Sequence, residues 1–322
     1  MKKIVSFALI LVMCAVLVGG CGSKNSSGSG GSAKLYLSYT KDDFRQAFAD
    51  AAIAEAGNSG VTIVANAEDD TVEKQVESIK NAVADGCTAI LCIPVNSATA
   101  QQLEVAANGV PIIFCNSKPD AEYMEANKYI YVGSSEEQAG QFQAEKLMAL
   151  YPSKKEFNIV MFKGVKDHSG TVGRQNGFKN TMKANGINVN YVFEDYADWS
   201  GEIAVEKFKQ FLKTGQAYDA VVCHNDTMAV AVADYMMENG ISTEDIPVFG
   251  VDATADGLAS IDKGGLTFTV YQSAKGQGIA AVQAGVLMSK GQPVGSIDGA
   301  DESETYIYVP FEAVDKGNYK NY

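Results

Sequence analysis

The sequence predicts an α/β protein of two doubly wound parallel-sheet lobes joined by a hinge. Three observations lead there. Short, nearly continuous apolar runs alternate with longer helical patterns, and that alternation runs through twice. Gly or Pro punctuates many joins, as at Gly57, Gly86, Gly109, Pro111, Gly186 and Gly240. Strands this apolar, set between helices, belong in parallel sheets covered on both faces.

The chain opens on Met1, Lys2 and Lys3, followed by an apolar run at 4–18. Spanning a bilayer takes about 20 helical residues, so this shorter run reads as an export signal and not as part of the fold. Gly19 and Gly20 stand directly before Cys21. That layout resembles the lipobox of bacterial lipoproteins, which implies cleavage after residue 20, a lipid on Cys21, and anchoring outside the cytoplasm. Residues 21–33 are rich in Gly, Ser and Asn and read as a flexible tether.

Removing residues 1–20 takes away Lys2 and Lys3, leaving 24 basic against 39 acidic residues, a net charge of −15. Such a surface excludes nucleic acid as a partner, because that binding rests on Lys/Arg contacts to phosphate. Setting the tether aside as well leaves about 290 residues, enough for two lobes. Cys87, Cys92, Cys115 and Cys223 lack metal-site spacing, and the last three sit in apolar runs as small core residues. No cofactor and no metal is expected.

The first series of strands falls at 35–39, 61–66, 89–93, 111–116 and 130–133, and the second at 157–163, 189–195, 220–224, 247–251 and 268–272. Helical patterns lie between them, among them 44–56, 72–84 and 136–150. The N-terminal lobe is expected at 34–134 plus 273–304, and the C-terminal lobe at 135–272 plus 305–322. The chain then crosses the hinge near 134–135, 272–273 and 303–306.

In such sheets, residues just past the C-terminal ends of strands face the crevice where ligands bind. Reading there gives Asp42 and Phe44, Asn116, Asp167 and His168, Trp199, Asn225, Asp252 and Gln272. Amides and carboxylates suit vicinal hydroxyls, each of which donates and accepts. Flat rings suit the C–H faces of a pyranose, each contributing on the order of 1.5–3 kcal/mol when buried. These residues have plainer readings as well. Phe44 belongs to a core-like spacing with Ala47, Phe48 and Ala51, while Asn225 and Asp252 are good helix N-caps. Lys41 and Arg45 read as rim charges.

From about residue 35 to 319 the chain resembles the periplasmic-type sugar-binding proteins of bacterial ABC transporters, most nearly their glucose/galactose-binding branch. The segments VPIIFCN at 110–116, YVG at 131–133, NDTMA at 225–229, IPVFGVDA at 246–253 and VPFEAVDK at 309–316 carry the likeness. The resemblance implies a monomer with a hinged cleft that delivers a hexose to a transporter permease. It implies Phe44 and Trp199 as opposing aromatic walls and Asp42 as a hydroxyl acceptor. Asn116, His168, Arg174, Asn225 and Asp252 become hydrogen-bonding partners of the sugar. Gln272 stands where that branch has an asparagine.

Two departures bear on the ligand. Gly170 replaces an aspartate that touches the anomeric hydroxyl, and Gln272 has a longer reach than asparagine. The branch's calcium loop is replaced by YPSKKEF at 151–157, which lacks alternating oxygen ligands, so no calcium is expected. A hydrolase would need two carboxylates flanking a glycosidic bond; Asp42, Asp252 and His168 are paper candidates for its acid and base. Regulators of the lactose-repressor family share this fold but carry a basic helix-turn-helix ahead of the first strand, where this chain has a signal and tether. A sensory role on the same fold stays open.

Overall fold

The structure is a computed structural model that describes residues 33–322. The expected signal at 1–20, the lipid site Cys21 and the tether up to residue 32 lie outside the described residues. Ala33 belongs to the body and not to the tether: it is buried, and its carbonyl accepts from Thr62 N–H at 3.2 Å.

The first half runs β1 (Lys34–Ser38), α1 (Asp43–Asn58), β2 (Thr62–Asn66), α2 (Val72–Ala84), β3 (Ala89–Cys92), α3 (Ala100–Ala107), β4 (Ile112–Cys115) and β5 (Tyr129–Gly133). The second repeats the pattern with α4 (Glu136–Leu150), β6 (Glu156–Lys163), α5 (Ser169–Ala184), β7 (Asn188–Tyr196), α6 (Gly201–Leu212), β8 (Ala220–Cys223), α7 (Asp226–Glu238), β9 (Val248–Phe249), α8 (Ala255–Lys263) and β10 (Phe268–Tyr271). α9 (Ala274–Met288), β11 (Tyr306–Tyr308) and β12 (Glu312–Asp315) follow.

The strands form two six-stranded sheets, ordered β11-β5-β4-β3-β1-β2 and β12-β10-β9-β8-β6-β7. β3 and β4 are buried at every position because helices cover both faces. α2 shows the amphipathic logic: it buries Gln75, Ile79 and Ala82, and Thr71 caps its start by accepting from Lys74 N–H. On one face of the first sheet Leu35, Leu37, Leu91 and Ile113 pack with Phe48 of α1 and Ala284 of α9. In the second, Val160, Phe162 and Val221 pack with α6 and α7, while Ile159, Met161 and Val222 face the α4–α5 side. α4 and α5 cross at backbone contact, since a Cβ on Gly140 or Gly177 would strike the main chain of the opposite helix.

Two expectations need correcting. β11 and β12 were not among the predicted strands, and β12 pairs antiparallel with β10, so the second sheet is not wholly parallel. β11 also joins the first sheet by pairing with β5, whereas its residues were assigned to the C-terminal lobe. Its aromatic rings explain the pairing. Tyr306 and Tyr308 stack on each other at 5.7 Å, and each meets Tyr131 of β5 edge-on at 6.4 and 6.3 Å. The third crossing therefore falls at 309–311, not at 303–306.

Candidate binding cleft

In each sheet the chain builds outward one way and then the other. β1 leads to β2 on one side and β3 lies on the other; β6 is flanked likewise by β7 and β8. Loops at such switch points diverge and leave a crevice at the strand C-termini. The two crevices face one another around a cavity of about 240 Å³.

All nine expected residues line this cavity: Asp42, Phe44 and Asn116 from the first lobe, and His168, Arg174, Trp199, Asn225, Asp252 and Gln272 from the second. Arg45, Glu136, Thr227 and Thr254 line it too and were not among the expected site residues. Arg45 is not merely a rim charge; its Nε lies 3.4 Å from Asp42 Oδ2. Asp42 is at once a wall and a cap, because its Oδ1 accepts from Arg45 N–H at 2.7 Å. Phe44 both packs against the first lobe's core and reaches the cavity.

Arg174 is the electrostatic centre. It is 5 % exposed, and its Nε donates to Glu136 Oε2 at 2.7 Å. One terminal nitrogen donates to the His224 carbonyl and stands 3.7 Å from Asp252 Oδ1; the other donates to Gln272 Oε1 at 3.5 Å. Burial works against its charge, but Glu136 and Asp252 outweigh it and hold the guanidinium above its ordinary value. Its plane also lies 5.6 Å from the Trp199 ring. Gln272 is buried, and its Nε2 has no hydrogen-bond partner among the described residues.

His168 caps α5 through Nδ1, which accepts from Gly170 N–H at 3.1 Å, and meets Trp199 edge-on at 5.4 Å. Burial, with Arg174 and Arg45 nearby, lowers its pKa to about 4, so the imidazole is neutral and keeps Nε2–H as a donor. Asn225 caps α7 through Oδ1 and donates from Nδ2 to the Trp199 carbonyl. Asp252 caps nothing; Thr254 caps α8 instead. Burial raises the Asp252 pKa well above the carboxylate range, against the pull of Arg174. Beneath them Asp226 ties three elements together, accepting from Thr254 N–H at 2.8 Å and Thr269 Oγ1 at 2.6 Å; burial lifts its pKa to about 7.

The backbone is unusual here. Asn116, Asp167, Asp198, Trp199, Asp252 and Ala253 all have positive φ, a conformation that concentrates at functional sites. His224, just past β8, is fully buried and does not line the cavity. At the cleft mouth Lys118 N–H donates to Ser169 Oγ at 2.9 Å, joining the lobes.

A profile described as the periplasmic binding protein domain matches residues 34–293. The chain belongs to the periplasmic binding protein family. Among curated relatives of this periplasmic binding protein, a putative rhizopine-binding protein of Rhizobium meliloti is 30% identical over 252 residues, covering 77% of each chain. A D-galactose/methyl-galactoside binding periplasmic protein of Haemophilus influenzae is 23% identical over 272 residues, covering 80% of this chain and 81% of the relative. The structure of an ABC transporter solute-binding protein from Bacillus halodurans with bound myo-inositol superposes with a TM-score of 0.80 at 26% identity, covering 92% of this chain and 99% of the other. Periplasmic binding proteins of this sugar-binding class work outside the cytoplasm and hold solutes without transforming them.

Proposed function

We propose that the cleft captures one single-ring polyol and presents it to the permease of an ABC transporter. The observation that carries this reading is the convergence of eight strand-end residues and Arg174 of α5, from two lobes, on one small cavity. Phe44 and Trp199 supply flat apolar faces. Asn116, Gln272, Arg174 and the carboxyls supply paired donors and acceptors. The volume lies below the roughly 300–1,000 Å³ of pockets for drug-sized ligands, which favours one ring over two. Glucose and galactose fit this chemistry, and so does a cyclitol: galactosides and myo-inositol are named for relatives of the chain. Closure follows from contacts made by both lobes, which stabilise the closed form only while the solute is present.

No chemistry is proposed. Glu136 and Asp252 both face the same guanidinium, so neither is set as acid or base across a glycosidic bond. A lipid on Cys21 would tether a monomer near its permease.

The test is a thermal-shift and calorimetric panel of glucose, galactose, ribose, allose and myo-inositol. A true ligand at 100 times its Kd stabilises by about 2.7 kcal/mol. Absence of heat and of any shift with every ring overturns the reading.

A further inference from the structure

Glu136 opens α4, just after the first hinge crossing and three residues past the end of β5. Its carboxyl lines the cavity and the residue is 8 % exposed. Oε2 is held by Arg174 Nε at 2.7 Å, whereas Oε1 accepts no hydrogen bond from any described residue. That oxygen stays accessible and is not sealed in the fold, so a ligand's hydroxyl can reach it. Across the same guanidinium, Gln272 presents the complementary deficit, a buried Nε2 donor without an acceptor. Arg174 thus positions one free acceptor and one free donor in a single cavity. Two neighbouring hydroxyls on a ring satisfy such a pair, one giving its proton and the other receiving one.

The space around this carboxyl is set by Gly170. A Cβ there would stand 3.2 Å from His168 Nδ1 and 3.6 Å from Glu136 Cδ, so a longer side chain would displace the carboxyl. The glycine that removes an acceptor from α5 makes room for one from α4.

We propose that Glu136 is a specificity-determining residue of the cleft, its free oxygen accepting from a ring hydroxyl in the space Gly170 leaves open. This rests on the binding reading above and names the residue that ranks ring epimers.

Calorimetry of the full chain with glucose, galactose, allose and myo-inositol, and with deoxy analogues of the best binder, tests it. Glu136→Gln keeps an oxygen for Arg174, and it is expected to weaken the best binder tenfold or more. The deoxy analogue lacking the read hydroxyl is expected to lose less than twofold, collapsing that discrimination. Gly170→Asp, which leaves Glu136 and Arg174 chemically intact, should reorder the epimers, and Glu136→Ala with Gly170→Asp should recover part of the lost affinity. Equal weakening of every ring by Glu136→Gln, or an unchanged epimer order in Gly170→Asp, overturns the inference, since Glu136 would then only hold Arg174. A wild-type chain that binds no ring overturns the binding reading, and this one with it.

Discussion

A Cβ on Gly164 would fall inside the indole of Trp199, on its Cη2 and Cζ2 atoms. The end of β6 therefore sets how far the aromatic wall stands back from the cavity.

Gly164→Ala should push that wall forward and cost most of one ring face, about 1.5–3 kcal/mol, or roughly 10- to 100-fold in affinity. Trp199 is the single tryptophan of the chain. Its fluorescence in the variant should shift without ligand, and titration calorimetry should show the weaker binding. Wild-type affinity with an unmoved spectrum would refute the wall's dependence on this glycine.

Arg174→Met removes the cation shared by Glu136 and Asp252 and leaves Glu136 unpaired in a buried site. Breaking one partner from a buried pair typically costs about 3–5 kcal/mol. Urea denaturation should show a loss of that size together with lost ligand binding. A loss under 1 kcal/mol would mean that the pair is solvated.

His168 titrates near 6.5 when unfolded and at about 4 in the fold. Between those values the unfolded chain binds the extra proton, so this group's contribution to stability is present above 6.5 and lost as pH falls toward 4. Asp226 has the opposite sign: its folded value is about 7, so its proton is bound more tightly in the fold and its contribution falls as pH rises. The comparison with His168→Asn isolates the histidine, because asparagine keeps a capping side chain. The melting temperature of the variant relative to wild type should rise steadily from pH 6.5 to 4. A constant difference would count against the depressed value.

Cys87, Cys92, Cys115 and Cys223 are free and buried, and burial raises each thiol above its ordinary value. A thiol reagent at pH 8 should leave them unmodified in the folded protein and label all four in denaturant. Rapid labelling of Cys92, Cys115 or Cys223 in the native state would contradict the packing of β3, β4 or β8.

Much of this molecule is written in its strands. Runs such as AILC and IIFC, apolar at every position, mark central parallel strands, and the rule that ligands gather past their C-terminal ends leads to eight of the expected residues that line the cleft, while Arg174, inside α5, came only from the family resemblance. The rule passes over Glu136, Arg45, Thr227 and Thr254 because they lie in the first turns of helices or beside caps, where an acid or a threonine ordinarily serves the helix. β11 was missed for another reason: three residues, two of them only partly buried tyrosines, give no apolar run, and their place depends on Tyr131, distant in sequence. Asn225 and Asp252 look alike as potential caps, yet only Asn225 acts as one, because Thr254 takes over the start of α8.

The left-handed residues around the cavity have a consequence for engineering. Asn and Asp tolerate that conformation, but Trp199 and Ala253 do not, and such positions carry about 1–3 kcal/mol each of local unease. Selection for heat resistance alone would favour glycine or asparagine there, relaxing the bowl and erasing its only indole. Robustness and grip are therefore set against each other in the same few backbone torsions, and a hardened variant should prove a poorer catcher.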